Sequence, residues 1–311
     1  MVAGFPTPVR VDVATLGHKL VLRLEVPFPM AVVRDIDPSA SPLDYYSYEL
    51  RRLREEAGLK QAQLGAIIFC TGSLIGMIEN GKRVPTRDFS ERVDAALGTD
   101  GHFSRLVGLV LRSVLPVWFQ AYAEMEARAT YISVYQSQVV YGLLQTEAYA
   151  RAVLATGLPK RLDELVAARM ERHRILHQEK SPLVWVVLDE GVLHRPIGGR
   201  QVMRAQLAHL LSFHGNRWVQ IQVLPCAAGE HAGLIGSFNG LRFDSDPDIV
   251  YTEDLISGHM TANPDTVREA ALRYAHLQAA ALSVEDSAVL IAQVMEERYG
   301  EQPEPDRHAV A

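Results

Sequence analysis

The sequence predicts an α+β chain, with an all-α N-terminal domain of five short helices followed by a mixed α/β C-terminal domain. Three observations carry this. Between Tyr45 and Leu97 apolar residues recur at three- and four-residue steps, punctuated by Gly58, Gly81 and Gly98. Leu183–Leu188 is a continuous apolar run, and Val219–Leu224 alternates apolar residues with Gln220 and Gln222; these are the patterns of a buried and a half-buried strand. Beyond residue 102, helix and strand signals follow one another in irregular order, which favours α+β over a regular βαβ repeat.

In the first domain Tyr46, Leu50, Leu53 and Ala57 share one helical face, and Gly58 closes that helix. Gln61–Ile68 is a second helix, and Phe69-Cys70-Thr71 a short turn. Thr71 caps a third helix, Gly72–Glu79, with Leu74, Ile75 and Ile78 inward. Asn80-Gly81 stops it. Pro85 and Thr86 precede a fourth helix, Arg87–Leu97. A fifth and a connecting helix span about Phe103 to Arg128.

The second domain reads as strands at Tyr131–Gln136, Leu183–Leu188, Val219–Leu224, Gly236–Phe243 and Ile249–Thr252. Helices are predicted at Thr146–Thr156, Leu162–Glu179, Gln201–Phe213, Asp265–Ala281 and Val284–Arg298. The organisation is therefore an extension and linker over 1–44, a helical domain over 45–101, a larger domain over 102–299 and a disordered tail over 300–311. Leu20–Val26 has a strand's alternation. Met1–Pro29 is expected to be a tail or a mis-called start, the rival being a strand of the later sheet; Asp37–Pro42 reads as a linker.

A chain of 311 residues with 48% hydrophobic and 22% charged residues is ordinary for about two globular domains. A formal net charge of -6 does not favour a nucleic-acid binder, yet a small module needs only a local basic face. The two cysteines, Cys70 and Cys226, form neither a disulfide framework nor a zinc-ligand spacing, and a reducing cytoplasm is the expected setting. No apolar run is long enough to cross a bilayer. No metal, cofactor or membrane partner is expected.

The stretch Leu53-Arg-Glu-Glu-Ala-Gly-Leu-Lys-Gln61, with Leu64-Gly65 and Ser73-Leu-Ile-Gly-Met-Ile-Glu-Asn-Gly-Lys-Arg83, resembles the Cro/repressor-like, or XRE-type, helix-turn-helix family over Glu49–Leu97. The resemblance implies binding of double-stranded DNA, with the third helix entering the major groove. By it, Gly72, Ser73 and Met77 face base edges. Gln61 and Thr71 touch the phosphate backbone, as do Asn80, Lys82 and Arg83 beyond the third helix. Arg87 falls near the minor groove. Arg54 and Glu79 fall where repressors form a buried ion pair that fixes the first helix against the third. Gly72 and Ser73 replace longer amide side chains, so direct base readout is expected to be thin. A protein-interaction module is the competing reading of this domain.

From Ser113 to Tyr299 the chain resembles the large domain of actinobacterial WhiJ-like regulators, on Trp118-Phe119, Tyr141-Gly-Leu-Leu-Gln-Thr146, Val184–Leu188 with Asp189-Glu190, Val219–Pro225 and Gly236-Ser-Phe-Asn239. That resemblance implies a domain that senses, dimerises or receives a partner, including a small acidic BldB-like protein. Trp118, Glu190, His231 and Glu253 are the candidate ligand or partner residues, with Asp189 and His194 nearby in sequence. Phe119 and Tyr122 line a pocket or fill the core. No HExxH, GxSxG, Walker A or dinucleotide fingerprint is present, and no catalytic residue is assigned. The long helices Leu106–Arg128 and Asp265–Arg298 are candidates for a dimer seam, a homodimer being expected. The alternative function is an antitoxin-like or scaffold protein that autoregulates its operon and neutralises a small partner.

Overall fold

The structure, a computed structural model, describes residues 11–16, 19–24, 36–157, 159 and 161–300. Strands β1 (Val11–Leu16) and β2 (Lys19–Leu24) pair antiparallel in a sheet of their own. The alternation after Leu20 does mark a strand, but its partner is β1 and not the later sheet. The remainder of Met1–Pro29, and the tail over 301–311, lie outside the described residues.

Helix α1 (Pro42–Glu56) begins earlier than the apolar spacing indicates, because Ser41 caps it and Pro42 occupies its first turn, where no N–H is needed. The Ser41 hydroxyl accepts the Asp44 N–H at 3.1 Å. The linker therefore ends at Ser41. Next come α2 (Gln61–Ile67), α3 (Gly72–Glu79) and α4 (Arg87–Leu97). Thr71 and Thr86 cap α3 and α4 through their hydroxyls, and Gly98 closes α4 with a φ of 65°. Tyr46, Leu50, Leu64, Ile75, Ile78 and Val93 meet in the core of this helical domain.

The long helical stretch after it divides at Pro116 into α5 (His102–Val114) and α6 (Val117–Glu126). Asp94 of α4 holds the start of α5, accepting the backbone N–H groups of Phe103 at 2.9 Å and Ser104 at 2.8 Å. The C-terminal domain runs β3 (Tyr131–Gln136), α7 (Glu147–Ala155), α8 (Leu162–Arg172), β4 (Leu183–Asp189), α9 (Gly191–His194), α10 (Arg200–Leu211), β5 (Val219–Leu224), β6 (Phe238–Arg242), β7 (Ile249–Glu253), β8 (Gly258–Thr261), α11 (Pro264–Ala280) and α12 (Val284–Tyr299). Its six-stranded sheet has the order β5-β4-β3-β6-β7-β8; β5, β4 and β3 are parallel, and β6, β7 and β8 continue antiparallel.

Several expectations change. α8 stops at Arg172 and continues to His177 as a 3-10 turn, so it falls short of Glu179. β5 is not half-buried: Gln222 is only 8% exposed, because its amide accepts from Trp185 Nε1 at 2.8 Å and donates to Leu282 O at 2.7 Å. β8 and α9 are too short to leave a periodic signal. The helices proposed as a dimer seam pack within the chain: α5 on α1, α4 and α8, α11 on the sheet, and α12 on α10 and β5. One apolar core runs from Tyr46 to Tyr299 through both domains, with a smaller cluster around Tyr135, Val187, Tyr274 and Leu277 beneath α11.

Candidate nucleic-acid interface

α2 and α3 meet unusually closely. A Cβ on Gly72 would lie 2.9 Å from Ala62 Cα, and one on Gly65 would lie 2.7 Å from the Cys70 carbonyl oxygen. Gly72, which the motif places toward base edges, is also a packing position where the two helices touch; its missing side chain makes room for α2. The turn between these helices puts Phe69 at a φ of 58°, with its ring 87% exposed. That left-handed conformation is costly for a bulky residue.

The outer face of α3 is open. Ser73 and Met77 are exposed along it, while Ile75, Ile78 and Glu79 are buried behind. A helix presented in this way can enter a major groove, with Ser73 able to hydrogen-bond and Met77 to contact a thymine methyl.

Behind it sits the expected ion pair. Arg54 Nε donates to Glu79 Oε1 at 2.5 Å and Nη2 to Oε2 at 3.0 Å, with Glu79 fully buried. Arg54 Nη1 donates to the Leu59 carbonyl at 2.7 Å. Gln61 completes the cluster, its Nε2 donating to Glu79 Oε2 at 2.7 Å. The Gln61 side chain therefore turns inward in this structure and not outward for phosphate; a buried carboxylate with lone pairs left open by Arg54 recruits its amide. Arg51, which the sequence reading passed over, ties α1 to the end of α3 through the Glu79 carbonyl at 2.8 Å.

The other predicted contacts divide. Thr71 is exposed, with its hydroxyl engaged as the cap. Asn80 donates to Gly76 O at 2.7 Å and accepts from Arg51, closing α3. Lys82 is exposed beside it. Arg83 is exposed but salt-bridged to Asp163 of α8 at 2.7 Å, and Asp163 also takes Arg151 at 2.7 Å. Arg87 does not face a groove: its guanidinium grips Glu171 of α8 and donates to Ser104 O at 2.9 Å. The first-turn position that favours a groove contact in the motif here faces α8, and Glu171 meets it there.

The four candidate residues of the second domain do not form one site. Glu253 is exposed at the end of β7, accepting from the Tyr251 hydroxyl at 2.8 Å; Tyr251 stacks on Tyr122 of α6 at 3.9 Å. His231 lies on the opposite face of the sheet, against Tyr135 in the cluster beneath α11, with Asp189 at 3.8 Å. Glu190 is engaged with the Cys226 N–H at 2.7 Å and His194 at 3.0 Å. Trp118 is a partly exposed surface ring beside Gly258. Phe119 and Tyr122 are buried, and both wall a cleft that Glu253 borders. Tyr141, Gly142, Gln145 and Asn239, which also line it, lie in the stretches 141–146 and 236–239 singled out in the sequence, whereas Arg169 and Gln136 carry no motif.

An exposed helix braced by a buried ion pair fits a helix-turn-helix domain of the DNA-binding kind. Residues 47–105 match a family described as a helix-turn-helix domain. Residues 119–293 match the family described as "Domain of unknown function (DUF5753)", more than half of the chain, and the protein belongs to that family. No curated protein and no solved structure matches the chain. Among the described residues, no single helix is long and apolar enough to cross a membrane.

Proposed function

We propose that the protein is a cytoplasmic, non-catalytic transcriptional regulator that reads double-stranded DNA with α3 and acts as a homodimer. The exposed face bearing Ser73 and Met77 is the observation that carries this reading. Lys82 and Arg83 follow α3 in the chain, are both exposed and supply phosphate contacts. Thin side-chain readout leaves part of the specificity to DNA shape and to a second subunit bound at a second half-site. The motif likeness to XRE-type and WhiJ-like regulators supports the same assignment, with the larger domain receiving a small ligand or partner.

The test is selection of genomic fragments by the purified full-length protein, followed by footprinting. Enriched fragments should share a short protected element with two-fold symmetry. Recovery of no fragment above background, at low as well as moderate salt, would sink the reading.

A further inference from the structure

α8 has two working faces. At about 100° per residue, Asp163 and Glu171 project to one side and Arg169 and Arg172 to the other. The first pair holds Arg83 and Arg87 of the DNA-reading domain. The second pair lines the cleft, a cavity of about 170 Å3 that opens at the carboxyl end of β3, where the sheet changes from parallel to antiparallel pairing.

The two arginines differ. Arg172 is neutralised: Glu126, fully buried, accepts from its Nε and Nη2 at 2.8 Å each, and the Tyr141 and Tyr122 hydroxyls donate to the same carboxylate at 2.6 and 2.9 Å. Among the described residues Arg169 has a single hydrogen bond, from Nη1 to the neutral amide oxygen of Gln145 at 2.8 Å. Its guanidinium sits in a desolvated wall; burial, with the charge of Arg172 next, pulls its pKa down to about 10. Arg169 is half-buried, and Glu253 and Glu126 act on it through charge alone, with no hydrogen bond from its guanidinium to either carboxylate among the described residues; a bound anion supplies that bond and offsets the desolvation.

Gly142 marks where the anion fits. A Cβ there would lie 3.2 Å from Arg169 Nη1 and 3.3 Å from Arg172 Nη1. The absence of a side chain leaves both guanidinium groups reachable from one point. Gln136 and Asn239 add amides, and Phe119 an apolar wall. The small volume suits a compact acid held against the two arginines.

We propose that this cleft binds a small organic acid, its carboxylate on Arg169, and that α8 carries its occupancy to the DNA-reading domain. The coupling half rests on the regulator reading above; the binding half does not. A ligand that draws Arg169 inward moves the same helix that fixes Arg83 and Arg87, giving the two sites a shared mechanical element.

The experiment has two arms on the full-length protein. In the first, thermal unfolding is followed with compact carboxylates from acetate to octanoate, with benzoate and phenylacetate, with their primary amides and with inorganic phosphate. At least one carboxylate at saturating concentration should raise the Tm by about 3 °C or more. Its amide should not, and Arg169→Gln and Gly142→Ala should abolish the shift. Stabilisation by phosphate alone, equal shifts with the amides, no shift from any acid, or a shift that survives Arg169→Gln overturns the site. In the second arm, the stabilising acid should change the Kd for a selected DNA fragment by about fivefold or more. Glu171→Gln should reduce that change while keeping the thermal shift. An unchanged Kd overturns the coupling alone, and failure to bind any DNA overturns the regulator reading while leaving the acid site standing.

Discussion

The guanidinium of Arg87 closes on the carboxylate of Glu171 through Nε and Nη2, joining the helix after the reading helix to α8 of the larger domain. Both side chains are mostly shielded from water, so the pair is worth more than a surface bridge. Arg87→Ala should cost about 2 kcal/mol of stability in urea unfolding. It should leave the slope of log Kd against log salt unchanged. A slope lowered by about one would restore Arg87 to the DNA surface.

Arg83 has two possible partners, phosphate and Asp163. Lys82→Ala should lower the salt slope by about one and weaken binding to all sequences alike. Asp163→Asn should instead tighten DNA binding, because Arg83 no longer has to leave a carboxylate. Anisotropy titrations at several salt concentrations measure both, and weaker binding by Asp163→Asn would refute the competition.

Glu79 accepts from Arg54 and Gln61 with no exposed surface. Arg54→Ala or Glu79→Ala alone should destabilise the protein by about 3–5 kcal/mol, since each strands a buried charge. Replacing both by leucine or methionine should cost less than either single change. Denaturant midpoints that add up independently would rule out the coupled pair.

The turn before α3 makes opposite demands on two neighbours. Phe69→Gly should stabilise by about 1 kcal/mol, by removing a left-handed bulky residue. Gly72→Ala should destabilise by about 1–3 kcal/mol, because its methyl meets Ala62 backbone. Calorimetric Tm values with the reverse order would contradict the described turn.

Acid should weaken the fold in two stages. Burial pulls the His173 pKa from 6.5 down to about 4, outweighing the opposing bond to the Gly142 carbonyl. Between those values the unfolded chain binds more protons than the native one, so stability falls as pH drops through that window. Asp94 acts lower. Burial lifts its pKa, but hydrogen bonds from Ser104, Thr99 and Phe103 prevail and set it below 3.8. Its contribution is present above that unfolded value and disappears as pH falls through the lower native one. Urea midpoints from pH 7 to 4 should flatten in His173→Gln; an unaltered profile would exclude His173 as the cause.

The elements of the reading domain were legible because caps, glycines and periodicity agree within a few residues: Thr71, Thr86 and Gly98 act as their positions indicate. Arg54 and Glu79 were legible through a motif. The structure places Gln61 on Glu79, Gly72 against Ala62 and Arg87 on Glu171; a motif fixes a position along a helix but not which neighbour meets it. Ala62 lies ten residues away from Gly72, and Glu171 lies 84 residues from Arg87. The cleft was hidden for the same reason. Arg169, Gly142 and Gln136 come from three separate segments, and only the sheet topology assembles them.

α5 belongs to both halves of the molecule, burying Phe103 and Val107 together with Val110 and Leu111 in the common core. A DNA-reading head cut at residue 105 and grafted onto a foreign scaffold would leave most of this helix behind. Such a chimera would expose the underside of α1 and α4 to water and would tend to clump. Transplanting the head successfully requires carrying the chain through Val114, so the portable unit is longer than the motif that names it.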